Sequence, residues 1–144
     1  MNSKFSQKIS NILIYSKEEA IRLNNDYIGT EHLFLGILRD GEGIAIQALH
    51  TAGADLDAAK AQIESRIMRN VPSTDSDEIP LLKSTEHALT FVYLEARATK
   101  SDVIDTGHLL LAILHDDSSI VHSKAKNTVF FIFLTLFITV FSVC

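Results

Sequence analysis

A chain of 144 residues that is 47% hydrophobic, with six glycines and two prolines, carries enough apolar side chain for one packed, mostly helical domain and too much for global disorder. Its net charge of −5 argues against a nucleic-acid binder, which needs a basic face to meet phosphates. The single cysteine, Cys144, excludes an intramolecular disulfide and a cysteine-based zinc site and fits a reducing compartment. The amino-terminal stretch MNSKFSQKIS lacks the apolar core of a signal peptide, so a cytoplasmic location is expected.

In chain order, Ser6 is placed to cap a first helix reaching about Leu23. Ile9, Ile12, Leu13, Tyr15, Ala20 and Leu23 supply its apolar positions, and Lys17, Glu18, Glu19 and Arg22 its wet ones. Asn24-Asn25-Asp26 ends it, since these side chains bond their own backbone in turns. A lead-in loop follows, and Thr30 is placed to cap a short apolar helix whose Leu33, Phe34, Ile37 and Leu38 form a buried face. Asp40-Gly41-Glu42-Gly43 makes a tight link to a third helix, Ile44–Thr51, closed by Gly53. A fourth helix runs from about Asp55 to Met68, with Leu56, Ala59, Ile63 and Ile67 along one side. Residues 70–80, NVPSTDSDEIP, are polar and hold both prolines, which marks a linker.

Beyond the linker the chain repeats itself. Asp26–Asp40, DYIGTEHLFLGILRD, aligns with Asp102–Asp116, DVIDTGHLLLAILHD, at an offset of 76 residues with nine of fifteen positions identical. Agreement that dense at one offset is an internal repeat. The second long helix carries Ala88, Leu89, Val92, Leu94 and Ala96, and Thr106 is placed to cap the helix after it. The correspondence fails after Ile120, so the second repeat is read as truncated. The expected domain covers 4–126, with repeat one at 4–69, the linker at 70–80 and repeat two at 81–126.

Residues 127–144, NTVFFIFLTLFITVFSVC, carry no charge and hold five of the eight phenylalanines. As a helix they would span about 27 Å at ~1.5 Å per residue, slightly short of the ~30 Å hydrocarbon core of a bilayer. They can be read as a C-terminal membrane anchor, as a buried helix filling the gap in repeat two, or as a foreign tail from truncation or a shifted reading frame. The abrupt change in composition favours the last, and in each case the exposed segment is an aggregation hazard.

Chemistry has few places to reside. The free amides and partial positive charge of a helix N-terminus suit a phosphate-like anion. Within Gly29-Thr30-Glu31-His32, Glu31 adds a carboxylate able to take a guanidinium in bidentate geometry. The pair suits a ligand bearing an anion next to a cation, although spacing alone favours the plainer reading, in which Glu31 only complements the helix dipole and Thr30 only caps. His108, His115 and His122 recur every seven residues, too far apart for one pair to share an ion, and His32 and His108 are expected to bond within their own repeats. No GxxxxGK[ST] loop, no G-x-S-x-G elbow and no paired Cys/His nucleophile occurs, so catalysis by this chain is not expected.

The doubled IGTEHLFLGILRDGEGIA type of stretch, after a long helix ending EEAIRLNND, resembles the Clp amino-terminal (Clp N) repeat domain, and more narrowly its ClpC-type members, AAA+ unfoldases that feed a Clp protease. Residues 4–121 carry the resemblance, most strongly Glu18–Ala45 and Leu94–Asp116. It implies a small all-α domain of two pseudo-twofold-related helical repeats, placed ahead of ATPase modules that this chain lacks. Such a domain does no chemistry, needs no cofactor or metal, and receives adaptor proteins and protein substrates. In ClpC-type members it recognises phosphorylated arginine as a degradation mark. On the motif match Glu31 would hold the guanidinium, while Thr30, Gly29 and nearby amides, with Ser6, would serve the phosphate. The second copy reads Thr106-Gly107-His108 with Asp105 in place of the glycine, so its carboxylate is missing and its pocket is expected to be weakened. A rival reading is a tail-anchored membrane protein that uses a Clp N-like domain as a cytosolic protein-binding module.

Overall fold

A computed structural model of the chain describes residues 4–69, 78–116 and 121. The elements are β1 (Lys4–Phe5), α1 (Gln7–Arg22), α2 (Thr30–Asp40), α3 (Ile44–Thr51), α4 (Leu56–Arg66), α5 (Lys83–Ala98), β2 (Val103–Ile104) and α6 (Thr106–His115). The offset of 76 residues carries α1 onto α5 and the start of α2 onto the start of α6, as the repeat requires. Apart from the buried Val121, the would-be counterparts of α3 and α4, together with most of the linker and all of the apolar stretch 127–144, lie outside the described residues. Among the described residues no helix is long and apolar enough to cross a membrane.

The two long helices end in the same way. Asn24 takes a left-handed conformation (φ 57°), the Leu23 amide bonds the Glu19 carbonyl (3.0 Å) and the Asn25 amide bonds the Ala20 carbonyl (2.9 Å). Lys100 repeats the conformation (φ 54°), with the Ser101 amide on the Ala96 carbonyl (2.8 Å). These bonds satisfy carbonyls that a helix end would otherwise leave orphaned. Asparagine tolerates that backbone, whereas lysine has no local compensation for its crowded Cβ.

α1 and α2 form an antiparallel pair in which Gly36 lets the backbones approach. A Cβ at that position would stand 2.6 Å from Ser16 Oγ and 2.8 Å from the Ile12 carbonyl oxygen. α5 and α6 pair likewise, with Ala112 at the position matching Gly36. α2 and α6 lie at the centre. Every residue from Thr30 to Ile37 and from Thr106 to Leu114 is buried, and after the polar first turns no polar side chain occurs in Leu33–Ile37 or Leu109–Leu114. Ile9, Ile12 and Leu23 of the first hairpin and Ile104 of β2 complete the inner core.

The repeats are not independent. β1 pairs in parallel with β2, Lys4 beside Val103 and Phe5 beside Ile104, while Ile28 bridges Leu81. Under the repeat offset these are one pairing made twice: the segment before α1 joins the segment before α6, and the segment before α5 joins the segment before α2. The Ser6 amide donates to the Ile104 carbonyl (2.9 Å), and the Leu82 amide to that of Ile28 (3.0 Å). The lead-in segments, expected as plain loops, therefore pair across the repeats, as the short strands β1 and β2 at one helix start and as a single bridge at the other.

Two further expectations are corrected. Glu19, grouped by its pattern with the wet positions, is 5% exposed. It accepts from Arg22 at 2.6 Å and stands 3.5 Å from Arg39, while Arg22 also engages Glu64 of α4. That bridge holds α1, α2 and α4 together, and Arg39 adds a contact to Glu18 (2.5 Å) and a stack over Tyr15 (4.9 Å). Leu94, read as apolar core, is 53% exposed.

Candidate functional site

Gly29, in an extended conformation (φ −94°, ψ 173°), is the cap of α2, and Thr30 is its first helical residue. In the second copy the cap is Asp105 and Thr106 follows it. The threonines are thus one position inside their helices. Thr106 does cap, but a different helix: its Oγ1 accepts the amide of Ala45 in the first turn of α3 (3.2 Å). The capping expectation fails because each Thr side chain turns inward, to 2% and 0% exposure, where α2 and α6 are enclosed.

The histidines fix the two helix starts. The Gly29 amide donates to His32 Nδ1 (2.9 Å), so the ring proton lies on Nε2 and is donated to Asn25 Oδ1 (2.9 Å). Asn25 Nδ2 in turn donates to the Met68 carbonyl (2.8 Å), tying the end of α1 to the segment after α4. Burial pushes His32 down to about 4, with Glu19 pulling the other way. His108 repeats the arrangement: its Nδ1 accepts from the Asp105 amide (3.0 Å), and its Nε2 faces Thr99 Oγ1 (3.0 Å). Burial lowers it too, against the charge of Asp105. These rings bond within their repeats, as expected. His115 lies near Glu95 (3.8 Å) and packs on Phe91, and His122 is outside the described residues. Among the described residues no group of three or more His, Cys, Asp or Glu gathers to hold a metal.

Glu31, in the first turn of α2, is 8% exposed. Its carboxylate folds back over the cap: a Cβ built on Gly29 would meet the Glu31 carboxyl carbon at 2.6 Å. Burial raises the Glu31 carboxyl above its ordinary value, its own amide and the Tyr27 hydroxyl pull it down, and the charge of Asp116 pushes it up again. Tyr27 is raised by burial first, then by the charges of Glu31 and Asp26. Among the described residues no Lys or Arg forms a salt bridge with Glu31. A buried acid without a cation is costly, and an arriving guanidinium would relieve it.

Gly29, Thr30 and Glu31 are therefore brought together, but Ser6 is not brought to them. Ser6 caps α1, accepting from the Ile9 amide (3.3 Å), and its hydroxyl donates to Asp105 Oδ1 (3.4 Å). It thus stands at the start of α6 with Thr106 and Gly107, whereas Lys8 of the same first turn reaches Asp40 at the far end of α2 (3.4 Å). α2 is about 16 Å long at ~1.5 Å per residue. The strand exchange supplies a different neighbour for the Glu31 end, the beginning of α5. Thr85 Oγ1 donates to the Ile28 carbonyl (2.8 Å), and exposed Lys83 opens the helix there. Reading the repeat offset reciprocally, Ser6 onto Leu82, was the one signal that could have found this neighbour.

The described chain is thus a mostly helical pair of repeats, joined by a short parallel strand pair and each presenting a buried helix start. Residues 4–127 match the Clp repeat (R) N-terminal domain, and the chain belongs to that family. It is 35% identical over 132 residues to a probable ATP-dependent Clp protease ATP-binding subunit of Chlamydia pneumoniae, covering 88% of this chain and 15% of that protein. It is 31% identical over 127 residues to the negative regulator of genetic competence ClpC/MecB of Bacillus subtilis, again over 88% of this chain and 15% of the relative. The chain thus spans about 15% of the length of these relatives. Among solved structures, the N-terminal domain of Hsp104 from Candida albicans superposes with a TM-score of 0.78 at 16% identity, over 94% of this chain and 89% of that one. The N-terminal domain of ClpD from Arabidopsis thaliana gives 0.70 at 18% identity, over 94% and 92%.

Proposed function

We propose that the chain is the substrate- and adaptor-recognition domain of a Clp ATP-dependent unfoldase, and that it takes phosphoarginine-marked proteins at the start of α2. The observation that carries this reading is Glu31, a buried carboxylate in the first turn of a buried helix that no Lys or Arg among the described residues pairs with. Phosphoarginine carries a guanidinium next to a phosphoryl group. Glu31 would take the former in bidentate geometry, while Thr30, the Gly29 end of α2 and the first turn of α5 with Lys83 would meet the latter. The domain itself catalyses nothing and needs no cofactor. ATP hydrolysis, and delivery to a protease, belong to a parent chain carrying ATPase modules, in the cytoplasm. The second helix start, Thr106-Gly107 with Ser6, is the weakened site, because no Glu follows Thr106.

Calorimetric titration of the full chain with free phosphoarginine tests this. One site is expected, lost in Glu31→Gln, and weakening as pH falls through the raised Glu31 value because the protonated acid cannot hold a guanidinium. Equal binding by wild type and Glu31→Gln would refute the reading.

A further inference from the structure

The two repeats part company at the face where α4 packs. In repeat one ionic contacts hold α4 against α1 and α2: Arg22 engages Glu19 and Glu64 of α4, and Arg39 engages Glu18 and Glu19. Leu35 and Leu38 line the groove beside them, together with Asp57 and Lys60 of α4. The offset of 76 residues carries this face onto α5 and α6. There Leu94 stands for Glu18, Glu95 for Glu19, Ala98 for Arg22 and His115 for Arg39, while Leu111 and Leu114 keep the leucines. Both guanidiniums are gone, and the one acid left, Glu95, lies 3.8 Å from His115. A helix charged like α4 would bring its carboxylate to this face with no guanidinium to meet it.

The face is nevertheless covered. Leu111 and Leu114 are each 2% exposed, although among the described residues no helix of repeat two stands where α4 stands in repeat one. Leu114 is the more enclosed of its pair, since Leu38 beside α4 is only half-buried. Val121 is buried as well, like its counterpart Ala45 in the first turn of α3, so the chain beyond α6 turns back onto the core as it does beyond α2.

We infer that the uncharged stretch 127–144 docks on this face of α5 and α6 and takes there the place of α4. The offset carries α4 onto residues 132–142, and the charged residues Asp57, Lys60 and Glu64 fall on Phe133, Leu136 and Val140. The ion pair of Arg22 with Glu64 thus becomes Ala98 with Val140, both partners giving up their charge together. Repeat one is clasped by ion pairs, and repeat two by apolar burial, which needs no matched charges. The docking is independent of the phosphoarginine reading, because it involves neither helix start.

The test uses the full chain carrying Cys144→Ser, so that a nitroxide attached through Ala98→Cys, an exposed position, is the only label. Isotope-enriched, labelled chain is diluted into excess plain chain, which leaves only intramolecular broadening in the NMR spectrum. The amide signals of 132–142 are expected to broaden beside the nitroxide and to return when it is reduced. In thermal unfolding, Val140→Glu lowers Tm by several degrees, and adding Ala98→Arg, which restores the pair used by repeat one, recovers much of the loss. Signals of 132–142 that stay sharp beside the nitroxide would overturn the inference, as would a Tm indifferent to Val140→Glu. Flotation of the wild-type chain with phosphatidylcholine vesicles would overturn it too, by assigning the stretch to a bilayer instead.

Discussion

Acid should unlock the domain through His32. The ring sits at 0% exposure, with Nδ1 facing the Gly29 amide and Nε2 bonded to Asn25. Protonation would bury a charge and set a second N–H against the Gly29 N–H. The imidazole is therefore held down to about 4 from 6.5. A group whose folded value is depressed below its unfolded one, and whose charged form is the acid form, resists proton uptake in the native state. The unfolded chain then binds more protons between those values, so stability falls as pH drops from 6.5 towards 4. At about 1.4 kcal/mol per unit the full window is worth roughly 3 kcal/mol, of which about 2 kcal/mol is gone by pH 5. That is a large share of a small domain's stability. His108 acts in the same direction. Glu31 acts oppositely: its raised carboxyl stabilises the fold at low pH, a contribution lost as pH rises through the raised value. Urea unfolding of wild type and His32→Gln at pH 7 and pH 5 measures the difference. The wild type should lose about 2 kcal/mol more than the variant over that interval. Parallel losses in the two proteins would refute the assignment.

Two other substitutions follow from backbone geometry. Gly36→Ala drives a Cβ into Ser16 Oγ and the Ile12 carbonyl, so it should cost about 1–3 kcal/mol despite the better helix propensity of alanine. Adding Ser16→Ala should recover only part of that loss in denaturant unfolding, because the carbonyl remains. Lys100→Gly relieves a left-handed backbone at a helix end and should stabilise by about 1 kcal/mol, read as a rise in Tm, with Asn24→Gly gaining less.

Much of the fold was legible because its code is local. Apolar periodicity and turn-forming Asn and Gly residues placed α1 to α4 within a residue or two, and the offset of 76 residues carried two of them into the second half. Less legible were the side chains whose partners arrive from elsewhere. Glu19 looks like a surface charge in its helical pattern, and only Arg22, Arg39 and α4 explain its burial. Thr30 and Thr106 carry the right chemistry for caps, but the structure uses Thr106 to cap α3 across the repeat boundary.

By itself the sequence determined the two copies, their helices, the buried histidines and the acid at Glu31, since each depends on residue type and spacing along one chain. Tertiary structure decided the rest. β1 and β2 are two residues long, too short to announce themselves by any alternating pattern, and they exist because each repeat satisfies the other's backbone. That exchange takes Ser6 away from Glu31 and sets it on Asp105. It also puts the start of α5 beside Ile28. Periodicity records which face of a helix is buried, but not which partner buries it.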